Sequence, residues 1–212
     1  MINQVFPRSC IGVRRYNAFT LIELIVVVGI IIVLAGLVLS TVGYARKKGA
    51  RARTETEIAA MSAALENYKA DNGTYPRGPA SAMTIGTTTI PANATDSLDA
   101  KTRGNPADTT DPTYGATSLY LYTLLSGDST GIRSPTGKSY MAFKPNMLLP
   151  AGGSGTVTAI SDPFGNSYGY STANQSDPAK GYNPTFDLWS TAALTTAGQP
   201  TQADQNQWIK NW

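Results

Sequence analysis

The longest hydrophobic feature of the sequence is an apolar run near its N-terminus. Residues 24–45 contain no charged side chain. As an α-helix this run would be ~33 Å long, which is enough to cross a hydrocarbon core of ~30 Å. A core helix of a soluble protein rarely runs so far without a polar face. The run is also too long for a secretory signal peptide, and Arg46-Lys47-Lys48 follow it instead of a small-residue cleavage site. The pattern therefore predicts a membrane-spanning helix over residues 19–45.

Beyond this run the hydrophobic pattern changes to a single stripe. Apolar side chains recur at spacings of three, four and three residues, at Ile58, Met61, Leu65 and Tyr68. This periodicity indicates a helix with one buried face. Gly73 and Pro76 are typical of a helix C-terminus. We therefore expect the helix to continue through a soluble half, residues 46–76, and to be about 50 residues long in total.

The remaining pattern predicts a small α+β head. Residues 77–115 are rich in Thr, Ala, Pro, Gly, Asn and Asp, which predicts a polar insertion loop at the surface. Within the head, residues 116–212, a short helix is expected at 118–127 and strands at 167–170 and 185–190. The predicted fold is a long N-terminal helix packed on a small antiparallel β-sheet.

Composition excludes several kinds of catalytic site. The chain has no His, so it has neither a Ser-His-Asp triad nor a His-containing zinc site. Its one Cys, Cys10, cannot form an internal disulfide. Residues 1–18 hold three Arg and no acid, which equals the whole net charge of +3. A basic surface for nucleic acid is therefore not predicted.

The residues before the apolar run carry a specific motif. Residues 14–23 read Arg-Arg-Tyr-Asn-Ala-Phe-Thr-Leu-Ile-Glu. This segment resembles the cleavage and methylation segment of type IV pilins and type II secretion pseudopilins. The resemblance implies that residues 1–18 are a leader peptide, that a prepilin peptidase cuts between Ala18 and Phe19, and that Phe19 is then N-methylated. Most members of the family have Gly before the cut, where this chain has Ala18.

Glu23 lies at the start of the apolar run, where a carboxylate is costly. Insertion scales put that cost at ~2.5–3.5 kcal/mol or more at a helix centre, so the group needs a partner or a headgroup position. In the family that the motif resembles, this carboxylate is thought to meet the N-terminal amine of a neighbouring subunit. The resemblance thus implies that Glu23 acts in filament assembly.

Further matches extend along the chain and narrow the resemblance to the major pseudopilin of type II secretion. They comprise the helix end at 66–76, the Asp-Pro-Phe-Gly-Asn-Ser-Tyr segment at 162–168, the strand at 186–190 and the Ile-Lys-Asn-Trp ending at 209–212. Adhesive and motility pilins more often end in a disulfide loop. A mature chain without residues 1–18 would contain no Cys, which favours a pseudopilin.

The resemblance also raises the question of calcium. Pseudopilins of this type commonly bind the ion between their last strand and their Asn-Trp ending. Calcium takes six to eight oxygen ligands, usually with several carboxylates. Between Ser190 and Trp208 the only acidic residue is Asp204, which is therefore the candidate ligand. No other cofactor is predicted.

The predicted function is structural. The resemblance implies a subunit of a type II secretion pseudopilus that polymerises through its N-terminal helix, with itself and other pseudopilins, to drive protein export. Its partners would include the prepilin peptidase and an inner-membrane assembly platform. The head would lie in the periplasm, although five bases after the run against three before it favour the opposite orientation. The alternatives are a type IV pilin for adhesion, motility or DNA uptake, and a membrane-anchored enzyme or binding module.

Overall fold

The chain has the α+β class that the sequence predicts, with a long N-terminal helix and small antiparallel sheets. A computed structural model describes residues 19–102, 113–194 and 201–212. Contacts divide the chain into two units, residues 1–45 and 46–212. The helices are α1 (Leu21–Asn72), α2 (Ala94–Ser97), α3 (Thr113–Ser126), α4 (Ala173–Ser176) and α5 (Gln202–Gln205), with a 3-10 turn at Pro145–Met147. The strands are β1 (Met83–Ile85), β2 (Thr88–Ile90), β3 (Leu148–Leu149), β4 (Ala159–Ile160), β5 (Gly169–Ser171), β6 (Asp187–Ser190) and β7 (Ile209–Lys210).

Helix α1 ends where the sequence predicts. The backbone of Gly73 has φ +77°, and its N–H donates to the Lys69 carbonyl at 2.7 Å. A residue without Cβ is favoured at this left-handed position after a helix. The predicted stripe is also confirmed, because Ile58, Met61 and Leu65 are buried in the head core. Burying each of these side chains contributes about 1.5–3 kcal/mol.

The largest sheet has three antiparallel strands in the order β5-β6-β7. Its register pairs Tyr170 with Leu188 and Ser190 with Ile209. All four residues of β6 are buried, as expected for a central strand covered on both faces. The predicted strands at 167–170 and 185–190 are thus present, although each forms pairs over a shorter segment.

Helix α3 begins five residues earlier than the predicted start at 118. Tyr114, in the first turn, is 3% exposed and packs edge-on against Trp189, with the ring centroids 5.7 Å apart. This contact fixes an additional turn that apolar periodicity did not indicate. Leu119, Leu121 and Leu125 then place the helix in the same core as the α1 stripe.

The prediction of a polar surface loop over 77–115 is wrong for the part of that segment that the structure describes. Strands β1 and β2 form a hairpin there, followed by α2. Ile90 and Leu98 are fully buried and Ile85 is 2% exposed. The described large apolar residues of this segment therefore enter the core or, like the partly buried Met83, pack against it, and the polar residues between them form turns. Residues 103–112 lie outside the described residues.

Two buried carboxylates organise turns in the head. Asp162 accepts hydrogen bonds from the backbone N–H groups of Phe164 (2.9 Å) and Asn166 (2.8 Å) and from the Ser190 hydroxyl (2.5 Å). Asp187 accepts from the N–H groups of Tyr182 (2.9 Å) and Asn183 (2.8 Å). Burial raises the pKa of both carboxyls, and these hydrogen bonds only partly oppose it.

The pKa of Asp128, just after α3, is shifted in the opposite direction to those of Asp162 and Asp187. Its carboxylate is fully buried and accepts hydrogen bonds from the Tyr122 hydroxyl (2.9 Å), from Thr130, and from the N–H groups of Gly131 (2.9 Å) and Arg133 (2.7 Å). Burial alone would raise the pKa of Asp128. The hydrogen bonds from Tyr122, Thr130 and the Arg133 backbone outweigh burial and hold it below its usual value.

These carboxylates predict an unusual pH dependence of stability. A pKa raised by folding stabilises the fold at low pH, and this contribution is lost as pH rises through the folded value. For Asp162 and Asp187 the free energy of unfolding should therefore decrease as pH rises from about 4 toward neutral. Below about 4, the lowered pKa of Asp128 has the opposite effect, and stability should fall again. Chemical denaturation of the full chain in detergent, followed by circular dichroism across this range, measures the curve.

The variant Asp162→Asn isolates the contribution of Asp162 to the pH dependence of stability. Asn can keep the two backbone hydrogen bonds and donate to the Ser190 hydroxyl, but it does not titrate. The stability curve of this variant should be flatter between about pH 4 and 7. The exposed Glu55→Gln variant is the control and should retain the wild-type slope. An unchanged slope in Asp162→Asn would contradict the assignment.

The packing of β5 on β6 predicts a second result. A Cβ added at Gly169 would lie 2.3 Å from Cε2 of Trp189, far inside van der Waals contact. Gly169→Ala should therefore destabilise the protein by about 1–3 kcal/mol. At Gly115, in α3, an added Cβ meets no atom of the described residues within 4 Å, so Gly115→Ala should stabilise by about 0.5–1 kcal/mol. Thermal denaturation measures the stability of both variants. Equal changes in stability would show that the Trp189 ring moves aside to accommodate the added Cβ.

Candidate functional site

The structure describes the N-terminal motif from Phe19 onward. Phe19 is 78% exposed and precedes the first residue of α1. Ala18, the other residue of the predicted cleavage site, lies outside the described residues. The structure therefore leaves cleavage and N-methylation as predictions.

Thr20 caps the start of α1. Its hydroxyl oxygen accepts a hydrogen bond from the Glu23 N–H at 3.3 Å, and its carbonyl accepts from the Leu24 N–H at 3.2 Å. Thr-x-x-Glu is the spacing of a capping box, in which a side chain satisfies an N–H group that has no partner inside the helix. The Thr-x-x-Glu spacing is visible in the sequence, but Thr20 is not among the residues predicted to have a role.

Glu23 occupies the first turn of the helix, where its charge is favoured by the helix dipole. Its side chain is exposed. Within the described residues, the carboxylate has no hydrogen-bond or ion-pair partner. The role of Glu23 in assembly stays a prediction.

The first part of α1 presents apolar side chains in every direction. Between Leu21 and Leu39, the large apolar residues are 46–76% exposed. The helix is long and apolar enough to cross a membrane and lies near the N-terminus. Exposed apolar area of this extent marks a surface that contacts lipid or other protein. The described chain leaves this surface uncovered.

The basic residues after the apolar run divide into two groups. Arg51 pairs with Glu55 (3.4 Å) and donates to the Gln207 carbonyl (3.1 Å). Arg53 pairs with Glu57 at 2.7 Å. The remaining bases, Arg46, Lys47 and Lys48, are exposed and have no hydrogen-bond or ion-pair partner in the part of the chain that the structure describes.

Glu57 also joins α1 to the sheet region. Its second oxygen accepts a hydrogen bond from the hydroxyl of the fully buried Tyr168 at 2.8 Å. Burial, together with the neighbouring Glu57 charge, raises the pKa of Tyr168, so the hydroxyl stays protonated and donates. Arg53, Glu57 and Tyr168 thus form one chain of hydrogen bonds from the surface of α1 to the core.

Asp204, the candidate calcium ligand, forms a capping box at the start of α5. Its carboxylate accepts from the Thr201 N–H (2.9 Å) and hydroxyl (2.7 Å), while its own N–H donates to the Thr201 hydroxyl oxygen (3.2 Å). These bonds lower the pKa of Asp204. No group of three or more His, Cys, Asp or Glu side chains suited to a metal occurs in the described ranges. Residues 195–200 of the predicted loop are outside them, and calcium binding stays a prediction.

The C-terminal motif has a structural role. Asn211 accepts a hydrogen bond from the Leu188 N–H at 2.9 Å, and its amide donates to the Phe186 carbonyl at 3.1 Å. Trp212 stacks on Tyr182, with centroids 4.7 Å apart and ring planes 11° from parallel. The resemblance at 209–212 thus corresponds to residues that fix the last strand against β6.

Comparison with known proteins gives partial matches. The chain is 38% identical over 63 residues to the "Type II secretion system core protein G" of Klebsiella pneumoniae. The matched segment covers 30% of this chain and 45% of that relative. The protein of the same name from Aeromonas hydrophila is also 38% identical over 63 residues, or 44% of its length. The "Type IV wide pilus major component PilA4" of Thermus thermophilus is 35% identical over 88 residues, covering 40% of this chain and 65% of the relative.

The chain thus spans less than half the length of the core protein G relatives that it matches. No family model matches the sequence, and no solved structure matches it. By their names, the relatives are a secretion core protein and a pilus component. Over the matched part, the chain is therefore similar to pilin-like structural proteins, and in particular to type II secretion core protein G.

Proposed function

We propose that the protein is a structural subunit of a type II secretion pseudopilus. The observation that carries this proposal is a helix whose first part is apolar on all sides and begins with Glu23, a carboxylate that no other described residue binds. Such a surface is suited first to a bilayer and then to packing against the same helices of other subunits. The similarity to core protein G supports the secretion system as its setting.

In this proposal the subunit begins as a single-pass protein of the inner membrane with its head in the periplasm. Prepilin peptidase removes residues 1–18, and Phe19 is N-methylated. Mature subunits then polymerise with each other and with other pseudopilins on an inner-membrane assembly platform. The growing filament would drive folded proteins through an outer-membrane channel.

Glu23 couples processing to assembly. Cleavage before Phe19 creates an α-amino cation four residues from this carboxylate. In an apolar filament core, a paired carboxylate and amine cost much less than either ion alone, and loss of one partner leaves an expensive buried charge. An uncleaved subunit lacks the cation and cannot complete the pair.

A type IV pilin is the second candidate, because the pilus component of Thermus thermophilus matches a longer part of the chain. Deletion of the protein separates the two functions. Loss of secreted proteins from the medium supports the pseudopilus. Loss of adhesion, motility or DNA uptake with normal secretion supports the pilus.

The processing proposal is tested by intact mass spectrometry of protein isolated from membranes. The expected mass corresponds to residues 19–212 with one added methyl group. The site accepts a small residue before the cut, so Ala18→Glu should retain residues 1–18. Protein expressed without prepilin peptidase is the control and should keep its leader. A mature N-terminus at another residue would contradict the proposal.

The assembly proposal is tested with Glu23→Ala. This variant should be cleaved and remain in the membrane, but its amount in sheared or sedimented filaments should fall at least tenfold, as expected for losing a few kcal/mol of buried ion-pair energy. Glu55→Ala, which removes an exposed carboxylate from the same helix, should assemble normally. Normal incorporation of Glu23→Ala into filaments would remove Glu23 from the mechanism.

A further inference from the structure

The structure divides five neighbouring bases by what they contact. Arg51 and Arg53 are engaged with Glu55 and Glu57, each one helical turn further along α1. The three bases that precede them have no such acid. At positions three and four residues beyond Arg46, Lys47 and Lys48, the sequence has Gly49, Ala50, Arg51 and Ala52. Helix geometry therefore leaves these three cations without an intrahelical counter-charge.

Their place in the chain indicates what neutralises them. The uncharged run ends at Ala45, and the three bases follow it directly in the same helix. With the run in a bilayer, they lie within about 5 Å, measured along the axis, of the end of the hydrocarbon layer. Tyr44, 72% exposed, is of the residue type enriched at that boundary. Phospholipid phosphates occupy this depth.

We propose that Arg46, Lys47 and Lys48 form a lipid-binding segment that selects anionic phospholipid headgroups. This inference rests on the proposed membrane-spanning subunit. Free, exposed cations next to a membrane helix each increase affinity for an anionic surface by about fivefold. Arg51 and Arg53 contribute little to it, because Glu55 and Glu57 neutralise them. The selectivity therefore depends on which bases are free, and the number of bases alone does not determine it.

An acidic surface on a neighbouring subunit is the competing partner for the same cations. The phospholipid is favoured because its phosphates lie at the depth of these residues in every inserted subunit, before any filament forms. The test must therefore use inserted subunits that are not assembled.

The experiment uses the full chain reconstituted singly into nanodiscs of equal parts phosphatidylcholine and phosphatidylglycerol. Lipids that stay bound to the protein after release from the disc are counted by native mass spectrometry. The wild type should retain phosphatidylglycerol over phosphatidylcholine by at least tenfold, and Lys47→Gln/Lys48→Gln should lose most of this preference. Raised salt concentration during release should weaken it as well.

The matched control, Arg51→Gln/Arg53→Gln, removes the same charge within the next five residues. It should keep the wild-type preference, and circular dichroism confirms that its head is folded. Lys144→Gln, an exposed change elsewhere in the head, is a control that leaves α1 intact. Equal losses in the two double variants would overturn the inference, because total charge would then explain the binding.

Three other outcomes would also overturn it. Wild-type protein that inserts without a lipid preference refutes the inference and leaves the proposed subunit intact. Cross-linking of the variant Lys47→Cys through its new thiol to a second copy, with no dependence on phosphatidylglycerol, assigns these cations to a protein partner. Failure of the chain to insert into the disc refutes both the inference and the membrane-spanning proposal.

Discussion

Burial of one face of α1 between Thr54 and Leu65 is the interaction on which the head depends. Met61 and Leu65 are fully buried in the main core, and the adjacent Glu57 binds the hydroxyl of Tyr168. The contact combines a large apolar area with a directional hydrogen bond, so it supplies both stability and a defined orientation. The apolar residues before position 40 obtain no comparable cover from the described chain.

The sequence predicted the elements whose apolar residues follow a clear period. The stripe of Ile58, Met61 and Leu65 was visible because its spacing matches a helical turn, and Gly73 marked its end. The segment over 77–102 was misjudged because it contains few large apolar residues, and low hydrophobicity was interpreted as exposure. In a small head, however, isolated residues such as Ile90 and Leu98 can be buried completely when turns bring them to the core. That arrangement depends on tertiary packing and leaves no local period.

The functional site shows a similar limit. The motif around Glu23 was apparent from residue types and spacing, whereas the capping role of Thr20 needed the local geometry of the helix start. Likewise, counting bases after the apolar run gave five equal charges. Arg51 and Arg53 differ from the three preceding bases because Glu55 and Glu57 lie four residues beyond them and form ion pairs with them. This spacing is present in the sequence, but a count of net charge does not reveal it. For Asp204, the sequence indicated an acid without revealing that Thr201 donates two hydrogen bonds to one of its carboxylate oxygens, Oδ2.

The contact between Gly169 and the Trp189 ring has a consequence for how homologous chains can diverge. The ring lies where any side chain at position 169 would have to be, so the two positions share one volume. A relative with a larger residue at the first position is expected to carry a smaller one at the second. Because Trp189 also stacks on Trp208, with the rings 6.0 Å apart, the exchange would extend to the C-terminal strand. These three positions should therefore change together over evolution, while the surface turns between them vary independently.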